Sequence, residues 1–150
     1  MGSRIPSDLS DARQVSVFLD VNIPMYAAGE DHPLRAPCVK CMTLIAEGKL
    51  DVVINAEILQ EILHRYSRIG LKRKGLLLAR NLALLVPAIL PVTGEDMELA
   101  ITLFEQHPQL KSRDVVHLAT MRNNGIEEII STDTHFDAVK FVKRIPPEEL

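Results

Sequence analysis

Short runs of β-branched and aromatic residues alternate with segments of helical period along almost the whole chain. QVSVFLD, DVVIN, AILPV and EEIIST read as strands bounded by Gly, Pro, Asn, Asp or Ser. Between them, LRAPCVKCMTLIAEGKL, AEILQEILHRYSRIG, KGLLLARNLALLV, GEDMELAITLFEQHP and SRDVVHLATMRNNG carry apolar residues at helical spacing. VNIPMYAAGED is a short helical or turn segment, and an acidic turn, DTHFDAV, precedes the edge segment KFVKRI. Strands separated by helices are joined by right-handed crossovers, which predicts an α/β fold with a largely parallel sheet and helices on both faces.

At 150 residues and 47% hydrophobic, the chain has the size and core-forming content of one domain. Residues 1–14 are expected to be a polar N-terminal segment and residues 15–150 the domain. The start lacks the apolar run of a secretory signal, and no stretch approaches the roughly 18 to 20 apolar residues of a membrane span. A cytoplasmic protein is expected. Cys38 and Cys41 form a lone C-x-x-C that could serve as a redox pair or half a zinc site. Their i, i+3 spacing, one turn before Leu44 and Ile45, reads better as small apolar residues on a helix face.

The formal net charge of −3 argues weakly against a nucleic-acid partner, but its distribution argues the other way. From Arg65 to Arg80 the chain carries Arg65, Arg68, Lys72, Arg73, Lys74 and Arg80 without one Asp or Glu. The acids lie elsewhere, and in a pattern. Functional groups of a parallel sheet collect beyond the carboxyl ends of its strands. Asp20 closes the first strand and Asp133 follows EEIIST. Glu61 lies about a turn and a half into the helix after DVVIN, and Asp114 opens the helix before EEIIST. All four are therefore expected at one rim. Packed carboxylates repel unless protons or cations neutralise them, and hard oxygen donors select magnesium or manganese. Such ions can activate water for phosphodiester cleavage. Without these four acids the remaining chain is slightly basic. Asp114 also has a plain structural reading: Ser112 would cap the helix, and a first-turn carboxylate is favoured by the helix dipole by roughly 0.3 to 1 kcal/mol.

The blocks VFLDVN, LQEILHRY, SRDVVHLAT and IISTDTHFD, taken in order, resemble the PIN domain, in particular the single-domain VapC-type ribonuclease toxins and their archaeal relatives. The similarity spans roughly Val15 to Arg144. It implies a three-layer α/β/α sandwich with a short, mainly parallel sheet, a magnesium- or manganese-dependent ribonuclease, an RNA substrate, a possible antitoxin partner and a homodimer. It also implies roles: Asp20, Glu61, Asp114 and Asp133 as catalytic metal ligands, with Asn22 and Ser131 as their auxiliaries. Glu61 fits better than Glu57 because of its distance from Asn55. Asp137 is either an outer fifth acid or a cap for the segment after THF. His117, on the side of its helix that carries Asp114, reads as a half-buried, hydrogen-bonded residue rather than a general base. Arg65, Arg68, Lys72, Arg73 and Lys74 are candidates for RNA contact, the competing readings being a solvated basic face or a dimer surface.

Other phosphoryl-transfer classes fit less well. A HAD-like phosphatase needs a second Asp where Asn22 stands, and a response-regulator receiver needs an Asp closing a middle strand, which neither DVVIN nor AILPV supplies. The alternative to an enzyme is a non-catalytic PIN-fold module for RNA binding or assembly.

Overall fold

The computed structural model describes residues 16–150. The polar segment 1–14 expected to precede the domain lies outside them, as does Val15. The strands are β1 (Val17–Leu19), β2 (Val52–Asn55), β3 (Ala88–Leu90), β4 (Glu128–Ile130) and β5 (Lys143–Ile145). The helices are α1 (Asn22–Ala27), α2 (Arg35–Ala46), α3 (Ala56–Arg68), α4 (Lys72–Leu85), α5 (Gly94–Gln106) and α6 (Ser112–Asn123). A 3-10 turn, Thr134–Ala138, joins β4 to β5, and another, Pro147–Glu149, follows β5.

The sheet order is β3-β2-β1-β4-β5 and every pairing is parallel, KFVKRI included. Each strand is shorter than its β-branched run, because the flanking residues turn into the helices that cover the sheet. The central strands bear the burial. Phe18, Leu19, Val52, Ile54, Ile129 and Ile130 are fully buried, whereas edge strand β3 leaves Ala88 and Ile89 exposed. This agrees with a parallel sheet protected on both faces at its middle.

From β1 the chain steps outward through β2 to β3, then returns past β1 to β4 and β5. The direction of travel reverses between β1 and β4. With a constant crossover hand, helices fall on both faces, and the crevice beyond the carboxyl ends of β1 and β4 is the topological switch point where such folds bind ligands.

The helices pack in consecutive pairs, α1 with α2, α3 with α4 and α5 with α6. Asn55, last residue of β2, caps α3 by accepting the Ile58 amide at 3.0 Å. Thr93 and Asp96 close a reciprocal capping box at the start of α5. One expectation fails here. Ser112 does not cap α6 but is its first residue, and Asp114 reaches back to accept the Lys111 amide at 3.0 Å.

Cys38 and Cys41 lie buried on α2 as free thiols, pushed up to about 11 and about 12 respectively, chiefly by burial. That environment suits small apolar face residues and leaves no reactive thiolate at neutral pH.

Gly75 sets the approach of α4 to α3. A Cβ there would meet the Tyr66 Cβ at 2.6 Å. Inside an exposed helix, glycine to alanine is ordinarily worth about 1 kcal/mol of added stability. Overpacking costs about 1–3 kcal/mol, so Gly75→Ala is predicted to destabilise on balance. Urea unfolding reads the sign: a midpoint at or above the parent's would mean that the two helices can separate without cost.

Candidate active site

Asp20 follows β1 directly and is 5% exposed. Its Oδ1 accepts the Val21 amide at 2.8 Å, and its Oδ2 accepts the Ser131 hydroxyl at 2.6 Å and the Asn22 amide group at 3.3 Å. The Ser131 bond crosses the switch point, since Ser131 follows β4. Asn22 ties the same junction again, donating to Ser131 Oγ at 3.4 Å and accepting the Thr132 amide at 3.4 Å. Asp133 is drawn to this junction because its amide donates to Ser131 Oγ at 3.0 Å. Its Oδ1 accepts the His135 amide at 2.9 Å, which starts the 3-10 turn, and lies 3.1 Å from His135 Nδ1.

Asp114, 6% exposed, comes to the same rim from the start of α6. Burial pushes its carboxyl above the usual range, the Lys111 amide pulls it back, and the Asp133 carboxylate raises it again. Asp20 is likewise raised, first by burial, with the Ser131 hydrogen bond opposing and the Glu61 charge adding. Neither acid has a guanidinium or ammonium as its main counterweight.

Glu61, 4% exposed, differs. Its Oε2 pairs with Arg113 Nε at 2.7 Å and with an Arg65 terminal nitrogen at 3.3 Å, and its Oε1 lies 3.2 Å from His117 Nε2. The tautomer of that histidine follows from a helix cap. Because Asn55 Oδ1 is committed to the Ile58 amide, Asn55 Nδ2 faces His117 Nδ1 and Thr120 Oγ1, each at 3.2 Å. Nδ1 therefore accepts, and Nε2 carries the proton donated to Glu61. His117 is 1% exposed, wholly buried rather than half-buried, and packs its ring 5.3 Å from that of Phe18. With both nitrogens engaged, it orients Glu61 and has no free nitrogen for general-base work.

Asp137 stands apart. It is held below the usual carboxylate range by Arg144, whose Nε and one terminal nitrogen bind its two oxygens at 2.9 and 3.2 Å. Arg144 also donates to the Ser131 carbonyl at 3.0 Å. In the fold Asp137 anchors an arginine that steadies the Ser131 loop.

The site thus gathers Asp20, Asn22, Ser131 and Asp133 through direct hydrogen bonds. Asp114 joins them electrostatically, and Glu61 adjoins through His117. Of the basic candidates, Arg65 lines a cavity of about 410 Å³ with Asn22, Met25, Tyr26, Thr132 and Asp133. Arg68 lines a neighbouring one, Lys72 borders a different depression with Leu63 and Leu76, and Arg73 and Lys74 are exposed on α4. Sequence reasoning overlooked Arg113, Arg144 and the Asn55 relay. Only Arg113 carried a signal, as the cation adjoining Asp114 in SRDVVHLAT.

A family model of the PIN domain matches residues 17–142. Ribonuclease VapC23 of Mycobacterium tuberculosis is 37% identical over 117 residues, covering 78% of this chain and 92% of that protein. The chain belongs to the PIN-domain family, among the VapC ribonucleases. The crystal structure of Mycobacterium tuberculosis VapC20, a toxin that cleaves the sarcin–ricin loop, superposes with a TM-score of 0.70 at 22% identity, covering 85% of this chain and 97% of that one. A toxin–antitoxin complex from Klebsiella pneumoniae gives 0.62 at 18% identity, covering 90% and 100%. These last two likenesses establish the fold, the three-layer α/β/α sandwich of PIN proteins.

Whether the PIN site suits a divalent cation is a question of donor chemistry. Among the described residues no group of three or more His, Cys, Asp or Glu side chains stands close enough together to hold a metal ion as it is. The donors nonetheless fit a hard cation: Asp20 and Asp114 are carboxylates raised by burial, and Asp133 adds like charge beside Asp114. A cation offsets that cost in a way the neighbouring side chains do not.

The raised carboxyls have a consequence for stability. A group whose folded pKa lies above its unfolded value costs nothing while protonated and costs most above the folded pKa. In chelator at neutral pH, Asp20→Asn should therefore melt no lower than the parent, since the amide oxygen still accepts a hydrogen bond. On acidification toward about pH 4 the parent should gain on the variant. A variant that melts lower at neutral pH would show that the bonds from Ser131 and Asn22 outweigh the burial penalty.

Proposed function

We propose that this PIN-domain protein is a divalent-metal-dependent ribonuclease that hydrolyses RNA phosphodiester bonds, with magnesium or manganese as its ion. What supports the reading is the link from buried Asp20 through Ser131 to half-buried Asp133, with buried Asp114 near enough to be raised by the Asp133 charge, and with neither Asp20 nor Asp114 ion-paired as Glu61 is. Asp20, Asp114 and Asp133 would hold the ion, with Glu61 beside them. When bound, the ion supplies a water activated at neutral pH and a positive charge for the phosphate. The chain's own residues supply orientation. Ser131 and Asn22 fix the Asp20 carboxylate, and Arg144 steadies the loop that carries Asp133. Glu61, held by His117, keeps Arg65 and Arg113 at the rim, where an incoming phosphate meets cations before it meets carboxylates.

The VapC name of its relatives supports a toxin of a toxin–antitoxin pair, and the Klebsiella neighbour is itself a toxin–antitoxin complex. The partner so implied is a protein presenting Arg or Lys to the carboxylates. A homodimer in the cytoplasm belongs to the same proposal. No helix of the described residues is long and apolar enough to cross a membrane. Co-purification from the native host should recover such a partner, and recovery of the homo-oligomer alone would count against it.

Asp114→Asn is predicted to keep the fold and the Lys111 cap while removing magnesium- or manganese-dependent cleavage of RNA, a loss of at least 100-fold being about 2.7 kcal/mol of barrier. Full cleavage by this variant, or cleavage by the parent undiminished in chelator, would overturn the assignment. Manganese binding without any RNA cleavage would instead favour a non-catalytic RNA-binding module.

A further inference from the structure

The cavity at the carboxylate site does not end at Arg65. Met25 and Arg65 also line a second cavity of about 430 Å³, whose other walls are His64, Arg68, Ile69 and Arg113. No acidic residue lines it. The two cavities therefore meet across Met25 and Arg65, the first reaching Asp133 and the second running along α3 to Arg68.

The charge of the second cavity is in excess. Arg65 and Arg113 share the single carboxylate of Glu61. Three guanidiniums against Glu61 leave a net of +2, and Glu57, which faces Arg113 and His64 from the first turn of α3, reduces this only to +1 when ionised. Glu61 also holds the Arg113 side chain by its Nε, so the entropy of ordering that arginine is already spent before a ligand arrives. In the first cavity, Tyr26 offers a half-buried aromatic face, braced by the His32 ring at 4.8 Å.

We infer that the Arg65–Arg68–Arg113 cavity is a backbone-phosphate subsite for single-stranded RNA, one that seats a phosphate flanking the scissile bond while an adjoining base rests against Tyr26. The inference rests on the ribonuclease reading for its substrate, but it concerns binding and has its own readout. Planar, multi-donor guanidiniums match phosphate oxygens better than ammonium groups do, which favours this arginine-lined cavity over the lysine-containing face of α4. Aromatic stacking beside a cationic groove is the usual way a single strand is held without reading its sequence. The RNA path thus runs along the face of α3 that carries Arg65 and Arg68 and bypasses Lys72, Arg73 and Lys74.

The test is binding of a fluorescent single-stranded RNA oligonucleotide in chelator, measured by anisotropy across a salt series, for the parent, Arg68→Gln and Lys72→Gln. Arg68 is chosen because it bears no ion pair to Glu61 among the described residues. Arg68→Gln should weaken binding and flatten the salt slope by about 0.7 log unit per log unit of salt, the value for one lost phosphate contact on a single strand. Lys72→Gln should do neither. A methylphosphonate walked along the oligonucleotide should weaken binding by the parent most at one position, and that dependence should vanish in Arg68→Gln. Equal losses in both variants would reduce the cavity to part of a diffuse basic face. An unchanged slope in Arg68→Gln with altered sedimentation would make it a contact between protein copies. Either result overturns the subsite. If the parent binds with the expected slope yet cleaves no RNA with manganese, the ribonuclease reading falls and the phosphate subsite stands.

Discussion

The hydrogen bond from Ser131 to Asp20, 2.6 Å across the gap between the ends of β1 and β4, is the contact on which the site depends. Those neighbours are brought together by a chain that has run out to β3 and back, so the bond joins residues 111 positions apart. It performs two tasks. It satisfies one oxygen of a buried carboxylate, and through the same hydroxyl it receives the Asp133 amide, which fixes where the loop after β4 begins. Burial of Asp20 without it would leave that oxygen only the longer 3.3 Å bond from Asn22, a poor exchange for the water an exposed acid keeps. Arg144, bound to Asp137 and to the Ser131 carbonyl, closes the support from the other side.

The acids of the rim are compensated unequally, and this divides their work. Glu61 is held among two guanidiniums and an imidazole N–H, so its charge is spent on keeping those groups in place. Asp20 and Asp114 have hydrogen bonds but no comparable cation, and burial dominates both. One part of the rim is therefore a preassembled cationic edge and the adjoining part is an anionic pocket. A phosphodiester that spans the two meets opposite signs a short distance apart, which favours one orientation of the strand over its reverse.

Much of this was legible in the sequence because it depends on order and period. Alternating runs specify a parallel α/β sheet, and the carboxyl-end rule puts acids that follow strands at one rim, as Asp20 and Asp133 are, joined through Ser131 after β1 and β4. What was not legible depends on side-chain choice among several partners. Arg113 could have faced solvent, as many first-turn arginines do, and nothing in its spacing reveals that it turns toward Glu61. The roles of Asp137 and Arg144 depend on β5 adding to the sheet edge in parallel, and its register beside β4 was not readable from a run as short as KFVKRI. The basic stretch from Arg65 to Arg80 was visible as composition alone. The turn at Gly70, with φ of +76°, divides it between two helices, so its charges do not act as one surface.

Helix starts show most clearly why structural and functional readings of one residue need not compete. Asp114 accepts the Lys111 amide and so begins α6, and the same bond fixes its carboxylate beside Asp133. Asn55 accepts the Ile58 amide and so begins α3, and the resulting amide orientation sets the tautomer of His117 and thereby the hydrogen bond to Glu61. In both cases a cap worth about 1 kcal/mol immobilises a polar group beside the rim. A cap suits this task because it takes one oxygen and leaves the rest of the group free to act. An acid at the mouth of a helix is thus held at little entropic cost in the place where an α/β fold opens toward its ligand, so its structural role is compatible with the role proposed for it.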